Sequence, residues 1–278
     1  MPNGADEPLA TAGPGLRLLL AGAVEVGAEI LGRDADVTIV RVSPHVHGGG
    51  HEWFRLALSE EGRRIRVRED PAERRLPAAC PMRHLLLSGH FCLGWRDEDP
   101  SSVQDADGAT EWWKAVIHFL GQQLYAEATR RWPLGQERAH GAAAAHEARA
   151  EELAARFGPL LLDDLRRGRL NLRRVAGGTR LERAGRRIFA VRDGAPSVVN
   201  LRAACPCEGD GRQRRVLRSC GDHAASAHGL VLALKVREKA EANYYDWFAE
   251  QTECCGTMDG CPMAGRGQPT RGTMAATM

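Results

Sequence analysis

The sequence predicts an α+β protein, an antiparallel meander of short strands packed on helices, followed by a second, smaller, cysteine-rich domain. Three observations carry that expectation. Three β-like runs joined by turn signals come first, an amphipathic helix follows them, and six of the eight cysteines lie beyond residue 200. With 278 residues, 43% of them hydrophobic and 27% charged, the chain can bury the core of one large or two modest globular domains. A formal net charge of +2 creates no overall field that would demand nucleic acid or an acidic membrane as partner.

Taken in order, residues 16–31 carry helix-like apolar spacing that stops at Gly32, a residue suited to a C-terminal cap. The apolar part, residues 16–23, is too short to span a bilayer, and no basic stretch leads into it. Neither a signal peptide nor a membrane helix is expected, and the cytoplasm is the expected compartment. Residues 37–42, 53–58 and 65–67 read as strands. The first two are joined by a His/Gly-rich loop over residues 45–51, and the last two by the tight turn Glu60-Glu61-Gly62. Residues 71–81, bounded by prolines, read as irregular chain leading to Cys92.

The clearest helix covers residues 111–131. Trp113, Val116, Ile117, Leu120, Leu124 and Ala128 share one face, and Pro133 stops it. Trp112, Trp113 and Trp132 are read as core and helix-end packing rather than a ligand cage. A second helix, residues 142–157, ends at Gly158-Pro159 and marks a domain edge. The expected division is therefore a lead-in over residues 1–33, a first domain over 34–158, an Arg-rich connector over 159–200 with one strand at 187–191, a cysteine-rich domain over 201–264, and a disordered tail over 265–278. A further helix over residues 230–248 links the two halves of the cysteine-rich domain.

Cys92 sits in Gly89-His90-Phe91-Cys92-Leu93-Gly94-Trp95, an apolar segment opening into a polar exit that contains Asp97 and Asp99. A cysteine thiol near pKa about 8.5 is only slightly ionised at neutral pH, yet it is a strong nucleophile that forms labile thioesters. It can therefore receive an acyl group and pass it on. A lone buried cysteine is more often a small hydrophobe, but the turn before Cys92 and the loop after it favour a reactive role. Cys80, beside Pro81 and without a neighbouring base, reads as packing. His90, Asp97 and Asp99 are candidates to orient or deprotonate an acceptor, with His90 preferred.

The order of strands, Pro-containing irregular segment, Gly89, Cys92-Leu93 and long helix resembles the ubiquitin-conjugating (UBC-like) fold, specifically its divergent bacterial branch, over roughly residues 35–135. In that family an asparagine that supports the oxyanion lies eight residues before the cysteine. Here that position is His84, within Cys80-Pro81-Met82-Arg83-His84, so an imidazole N–H would have to replace the amide. The resemblance implies a ubiquitin-like protein conjugating enzyme. It would take a modifier's C-terminal carboxyl from an activating enzyme as a thioester on Cys92 and transfer it to an amine of a target protein. The implied setting is an antiphage conjugation system that also holds a metal-dependent isopeptidase.

The remaining cysteines are Cys205-Pro206-Cys207, Cys220-Gly221-Asp222-His223, Cys254-Cys255 and Cys261. In a reducing compartment this density points to a metal. Zinc takes four thiolate or imidazole ligands in a tetrahedron, and Cys-x-Cys with Cys-x-x-His supplies one set. Cys254, Cys255 and Cys261 either complete that site in place of Cys220 or His223, or form a second one with a ligand such as His228. The segment resembles the short SEC-C type zinc motif, with Glu208-Gly209-Asp210-Gly211 replacing its Gly-Ser-Gly and a longer gap before Cys220. No Cys-x-x-Cys dithiol is present, which argues against a redox function.

Two rival readings belong to other classes. One is an inactive UBC-like adaptor that binds partner proteins. The other is a zinc-dependent nucleic-acid-binding protein, raised by Arg212, Arg214, Arg215 and Arg218. Because acidic residues elsewhere balance these arginines, nucleic acid is not the expected partner.

Overall fold

A computed structural model describes residues 12–34, 36–44, 50, 52–62, 64–94, 101–135, 138–207 and 215–265. The loop holding His45, His47 and His51, the exit holding Trp95, Asp97 and Asp99, Arg212 and Arg214, and the tail from residue 266 lie outside them. The chain divides into two compact units, Met1–Pro133 together with Phe248–Met278, and Leu134–Trp247. Both combine helices with antiparallel strands, so the protein is α+β.

In the first unit, helix α1 (Pro14–Gly22) leads into strands β1 (Glu29–Asp34), β2 (Val37–Val42), β3 (Phe54–Glu61) and β4 (Arg64–Glu69), paired in that order as an antiparallel meander. Alternation sets the register. Val40 and Val42, Phe54, Leu56 and Leu58, and Ile65 and Val67 face the core, and Ala57 on the other face of β3 is buried too. Helix α2 (Ala106–Thr129) is capped by Asp105, whose carboxylate accepts from the Gly108 N–H at 2.7 Å.

Two expectations fail in this unit. The helix expected over residues 16–31 ends at Gly22, and residues 29–34 become edge strand β1, bulged between Ile30 and Gly32. Pairing with β2 overrides helical spacing there, and Gly27, at φ 70°, closes the short 3₁₀ turn in between. The helix α2 starts five residues earlier than expected and buries Ala109, Trp112, Phe119, Gln123 and Ala126, with Ala128 exposed. The burial stripe is rotated because α1 packs against this helix.

Trp112 and Trp113 are both fully buried, edge to face at 5.0 Å. Only Trp113 has its indole N–H satisfied, by the Leu19 carbonyl of α1 at 2.9 Å, whereas the Trp112 Nε1 has no partner among the described residues. Trp113→Phe should therefore destabilise the protein by about 1 kcal/mol more than Trp112→Phe, since it leaves a buried carbonyl unsatisfied. Urea unfolding of the two variants measures the difference.

In the second unit, helices α3 (Ala142–Ala155) and α4 (Pro159–Arg166) precede a three-stranded antiparallel sheet, β5 (Leu170–Val175), β6 (Gly178–Arg183) and β7 (Arg186–Arg192). Helix α5 (His223–Gln251) follows and carries the chain into the first unit from Phe248. One core gathers Leu153 and Phe157, Leu161, Leu181 and Phe189, Leu217, and Leu230 and Leu234. The Arg-rich stretch thus forms three strands where one was expected, because the arginines occupy outward positions and leave Leu181, Phe189 and Val191 to the core. No described helix is long and apolar enough to cross a membrane.

Candidate active-site cysteine and metal-binding cluster

Cys92 ends a small knot of backbone pairing below β4. Cys80 and Leu85 exchange both of their backbone hydrogen bonds, 3.0 and 2.9 Å, around the 3₁₀ turn Pro81–Arg83. Leu85 in turn bridges to Phe91, and His90 bridges to Arg68 of β4. The loop between them closes through Gly89 N–H to the Leu86 carbonyl and Leu86 N–H to the His90 carbonyl, 2.8 and 2.9 Å. Gly89, at φ 78°, supplies the left-handed residue that such a three-residue hairpin loop requires. Phe91 then donates to the Val67 carbonyl and stacks on Phe119 of α2 at 4.6 Å, anchoring the residue before Cys92 in the core.

The Cys92 N–H donates to the His84 carbonyl at 2.8 Å, and its partly exposed thiol lies 3.9 Å from the Gly94 carbonyl. His84 is thereby brought to Cys92 through its backbone, while its imidazole packs against Trp132, ring centres 5.2 Å apart, in a buried position. Its backbone is left-handed, φ 52° and ψ 36°. Among residues with a Cβ, asparagine, aspartate and histidine adopt that conformation most readily. Histidine at this position is therefore compatible with the left-handed turn.

His90 is half-buried, with Nδ1 2.9 Å from the Ser88 hydroxyl. Burial first, then the guanidinium groups of Arg68 and Arg66, hold its imidazole below the usual histidine pKa of 6.5. It is neutral at physiological pH and has the capacity to take up a proton. Since the unfolded chain protonates first, the stability tied to His90 is present above pH 6.5 and lost as pH falls through the folded value. A proton NMR titration should place the His90 midpoint below 6.5; a midpoint above it would contradict this environment.

The second unit holds a separate set. Cys205, Cys207, Cys220 and His223 place their donor atoms within 4.8 Å of one another. Cys205 Sγ and Cys220 Sγ lie 3.2 and 3.3 Å from His223 Nδ1, and Cys207 Sγ lies 3.5 Å from Cys220 Sγ. The backbone builds this cage from two short paired stretches: Cys205 N–H donates to the Arg215 carbonyl and Leu217 N–H to the Ala203 carbonyl. Gly221, at φ 53°, turns the chain so that His223 opens α5 and packs its ring 4.8 Å from Phe157. Burial pushes the Cys205 thiol up to about 12 and raises Cys220 as well. A tetrahedron with ligand bonds of about 2.0–2.3 Å has edges of about 3.3–3.8 Å, so three thiolates and one imidazole at these separations fit a metal ion.

Cys254, Cys255 and Cys261 do not join this group. They belong to the first unit, where Cys255 Sγ meets Cys80 Sγ at 2.9 Å. His228 is engaged elsewhere, its Nε2 3.0 Å from the Ala195 carbonyl. The proximity of Cys80 to Cys255 is absent from the sequence reading, since 175 residues separate them. No local pattern signals it.

Residues 27–134 match the family model of the prokaryotic E2 domain, and residues 139–263 match that of the cysteine-rich domain C-terminal to E2 domains. Neither a curated protein nor a solved structure matches the chain. The two matches run in tandem and each takes in one of the two sites, Cys92 or the Cys205 cluster; the chain carries a prokaryotic E2 domain followed by the cysteine-rich domain that accompanies it.

Proposed function

We propose that the protein is a ubiquitin-like protein conjugating enzyme, with Cys92 as its thioester-forming residue. The observation that carries this reading is a partly exposed thiol whose backbone is fixed on both sides, by Val67 at Phe91 and by His84 at Cys92, within an E2 domain. The Cys92 sulfur, as thiolate, attacks the thioester carbonyl joining a modifier's C-terminus to an activating enzyme, whose own thiolate departs. The same carbonyl is then attacked by an amine of a target protein. An amide forms, the Cys92–acyl bond breaks, and the amine's proton leaves to a base. His90, neutral and near the cysteine in sequence, is the base we assign; the His84 imidazole, buried against Trp132, would have to turn toward Cys92 to donate to the oxyanion.

The Cys205, Cys207, Cys220 and His223 set fits zinc, which would fix the fold of the second unit and let it recruit a target. The setting we adopt is a bacterial antiphage conjugation system, with an activating enzyme, a modifier and a metal-dependent isopeptidase as partners.

Incubating the full chain with the activating enzyme and modifier encoded beside it, plus ATP, should give an adduct that a thiol reductant removes. No adduct would favour the inactive adaptor instead. Salt-dependent binding to generic DNA without any adduct would favour the nucleic-acid reading.

A further inference from the structure

The first unit holds a pair of sulfurs that the thioester chemistry does not use. Cys80 Sγ and Cys255 Sγ lie 2.9 Å apart, closer than carbon atoms pack at about 3.5–4.0 Å, with the Cys80 thiol donating to the Cys255 sulfur. The sequence contains no Cys-x-x-Cys dithiol, yet the fold assembles a dithiol from positions 175 residues apart. A disulfide bond is about 2.05 Å long, so the two sulfurs need to approach by only about 0.9 Å to join.

Backbone contacts brace both sulfurs. Cys80 exchanges two backbone hydrogen bonds with Leu85, and its carbonyl also accepts from the Arg83 N–H at 3.1 Å. Cys255 precedes Gly256, whose carbonyl accepts from Arg130 Nη2 at 2.9 Å, and the Asp259 N–H donates to the Arg130 carbonyl at 2.8 Å. The two positions differ in the way an oxidation pair requires. Cys80 is 1% exposed and keeps its proton, its thiol held above the ordinary range by the hydrogen bond to Cys255 and by burial. Cys255 is only half-buried, and the Thr257 hydroxyl lies 3.2 Å from its sulfur. The hydrogen bond with Cys80 first, against the opposing effect of burial, and then Thr257 and the Arg83 guanidinium hold the Cys255 thiol down to about 5. An accessible thiolate beside a second thiol is the arrangement that oxidants modify selectively.

We propose that Cys255 is a modification site for hydrogen peroxide, with Cys80 as the thiol that resolves it into an intramolecular disulfide. The Cys255 sulfur attacks one peroxide oxygen, the O–O bond breaks, and Cys255 becomes a sulfenic acid while the second oxygen leaves as hydroxide and takes a proton to become water. The Cys80 sulfur then attacks the Cys255 sulfur. The S–S bond forms, the S–O bond breaks, and the hydroxyl departs with the Cys80 proton as a second water. Two electrons pass from the pair of cysteines to the peroxide, and a thiol reductant returns them by exchange. Cys80 opens the turn that ends at His84, whose carbonyl receives the Cys92 N–H, so the new bond ties the segment from Phe248 onward to the support of the Cys92 backbone.

The test is peptide mapping of the full chain under non-reducing conditions, after treatment with hydrogen peroxide and blocking of the remaining thiols, a readout that does not depend on thioester activity. The wild type should yield two peptides joined through Cys80 and Cys255, lighter by two hydrogen atoms than the separate peptides and parted by reductant. Cys80→Ser should lose that link completely and accumulate a sulfenic acid at Cys255 that dimedone traps. Cys255→Ser, altering a half-buried position, should leave Cys80 unmodified at the same peroxide dose. No Cys80–Cys255 link in the wild type, a dominant link from Cys255 to Cys254 or Cys261, or a folded Cys80→Ser protein whose Cys255 stays unmodified would each overturn the proposal. Should Cys80→Ser not fold, Cys255→Ser decides: Cys80 oxidised there as readily as in the wild type would refute the order of the two steps.

Discussion

Cys92→Ala should leave the protein unable to form any reductant-sensitive adduct with the modifier, and Cys92→Ser should trap an adduct that survives reductant. The serine oxyester is cleaved less readily by thiols than the thioester, so it accumulates even though the hydroxyl is the weaker nucleophile. Loss in the alanine variant should be complete, because Cys80, the cysteine paired with Leu85 in the same turn, is not equipped to replace it. Cys80 is 1% exposed, and its thiol is held far above the normal range by its contact with Cys255 and by burial. The surroundings of Cys255 favour its thiolate, with its pKa lowered to about 5 chiefly by its hydrogen bond with Cys80. An adduct persisting in Cys92→Ala and vanishing in Cys92→Ala/Cys255→Ala would move the acyl site and refute the assignment. A gel shift with and without reductant reads all of these outcomes.

Disrupting the Cys205 cluster should have the largest effect on stability. If the cluster holds zinc as proposed, Cys220→Ala removes a buried donor and should unfold the Leu134–Trp247 unit. Binding free energies of structural zinc are about 10–16 kcal/mol, comparable with the whole stability of a domain at about 5–15 kcal/mol. The stretches carrying Cys205 and Cys220 are joined by a few backbone hydrogen bonds, and both cysteines are members of one buried core. Hydrogen exchange should show loss of protection along α5 and around Leu217, with β2 and β3 of the first unit still protected. Unchanged protection around Leu217 would mean that the apolar core of the unit stands without a metal.

The β2–β4 meander and the long tryptophan helix were legible in the sequence because each is a local pattern, alternation or helical spacing. The four donors of the second unit were legible for the same reason, as two short pairs. The β1 strand was not, since residues 16–31 are apolar at helical spacing throughout and only pairing with β2 decides their state. The buried stripe of α2 was read one position off because the packing of α1 against it has no signature within α2 itself. Cys80 illustrates the strongest limit. Its neighbours Pro81 and Met82 suggest nothing beyond packing, and its partner arrives from near the other end of the chain.

That return of residues from Phe248 onward to the first unit makes the cysteine-rich unit an insertion within the E2 unit in the folding sense, although the order of segments reads like a simple fusion. A truncation at residue 200 accordingly strips residues 248–265 from the E2 unit, and it cannot report on the second unit alone. During synthesis the same topology imposes a delay: Cys92 is made well before the segment from Phe248 that completes its own unit. A chain interrupted before residue 248 therefore carries Cys92 in a first unit that lacks one of its two segments.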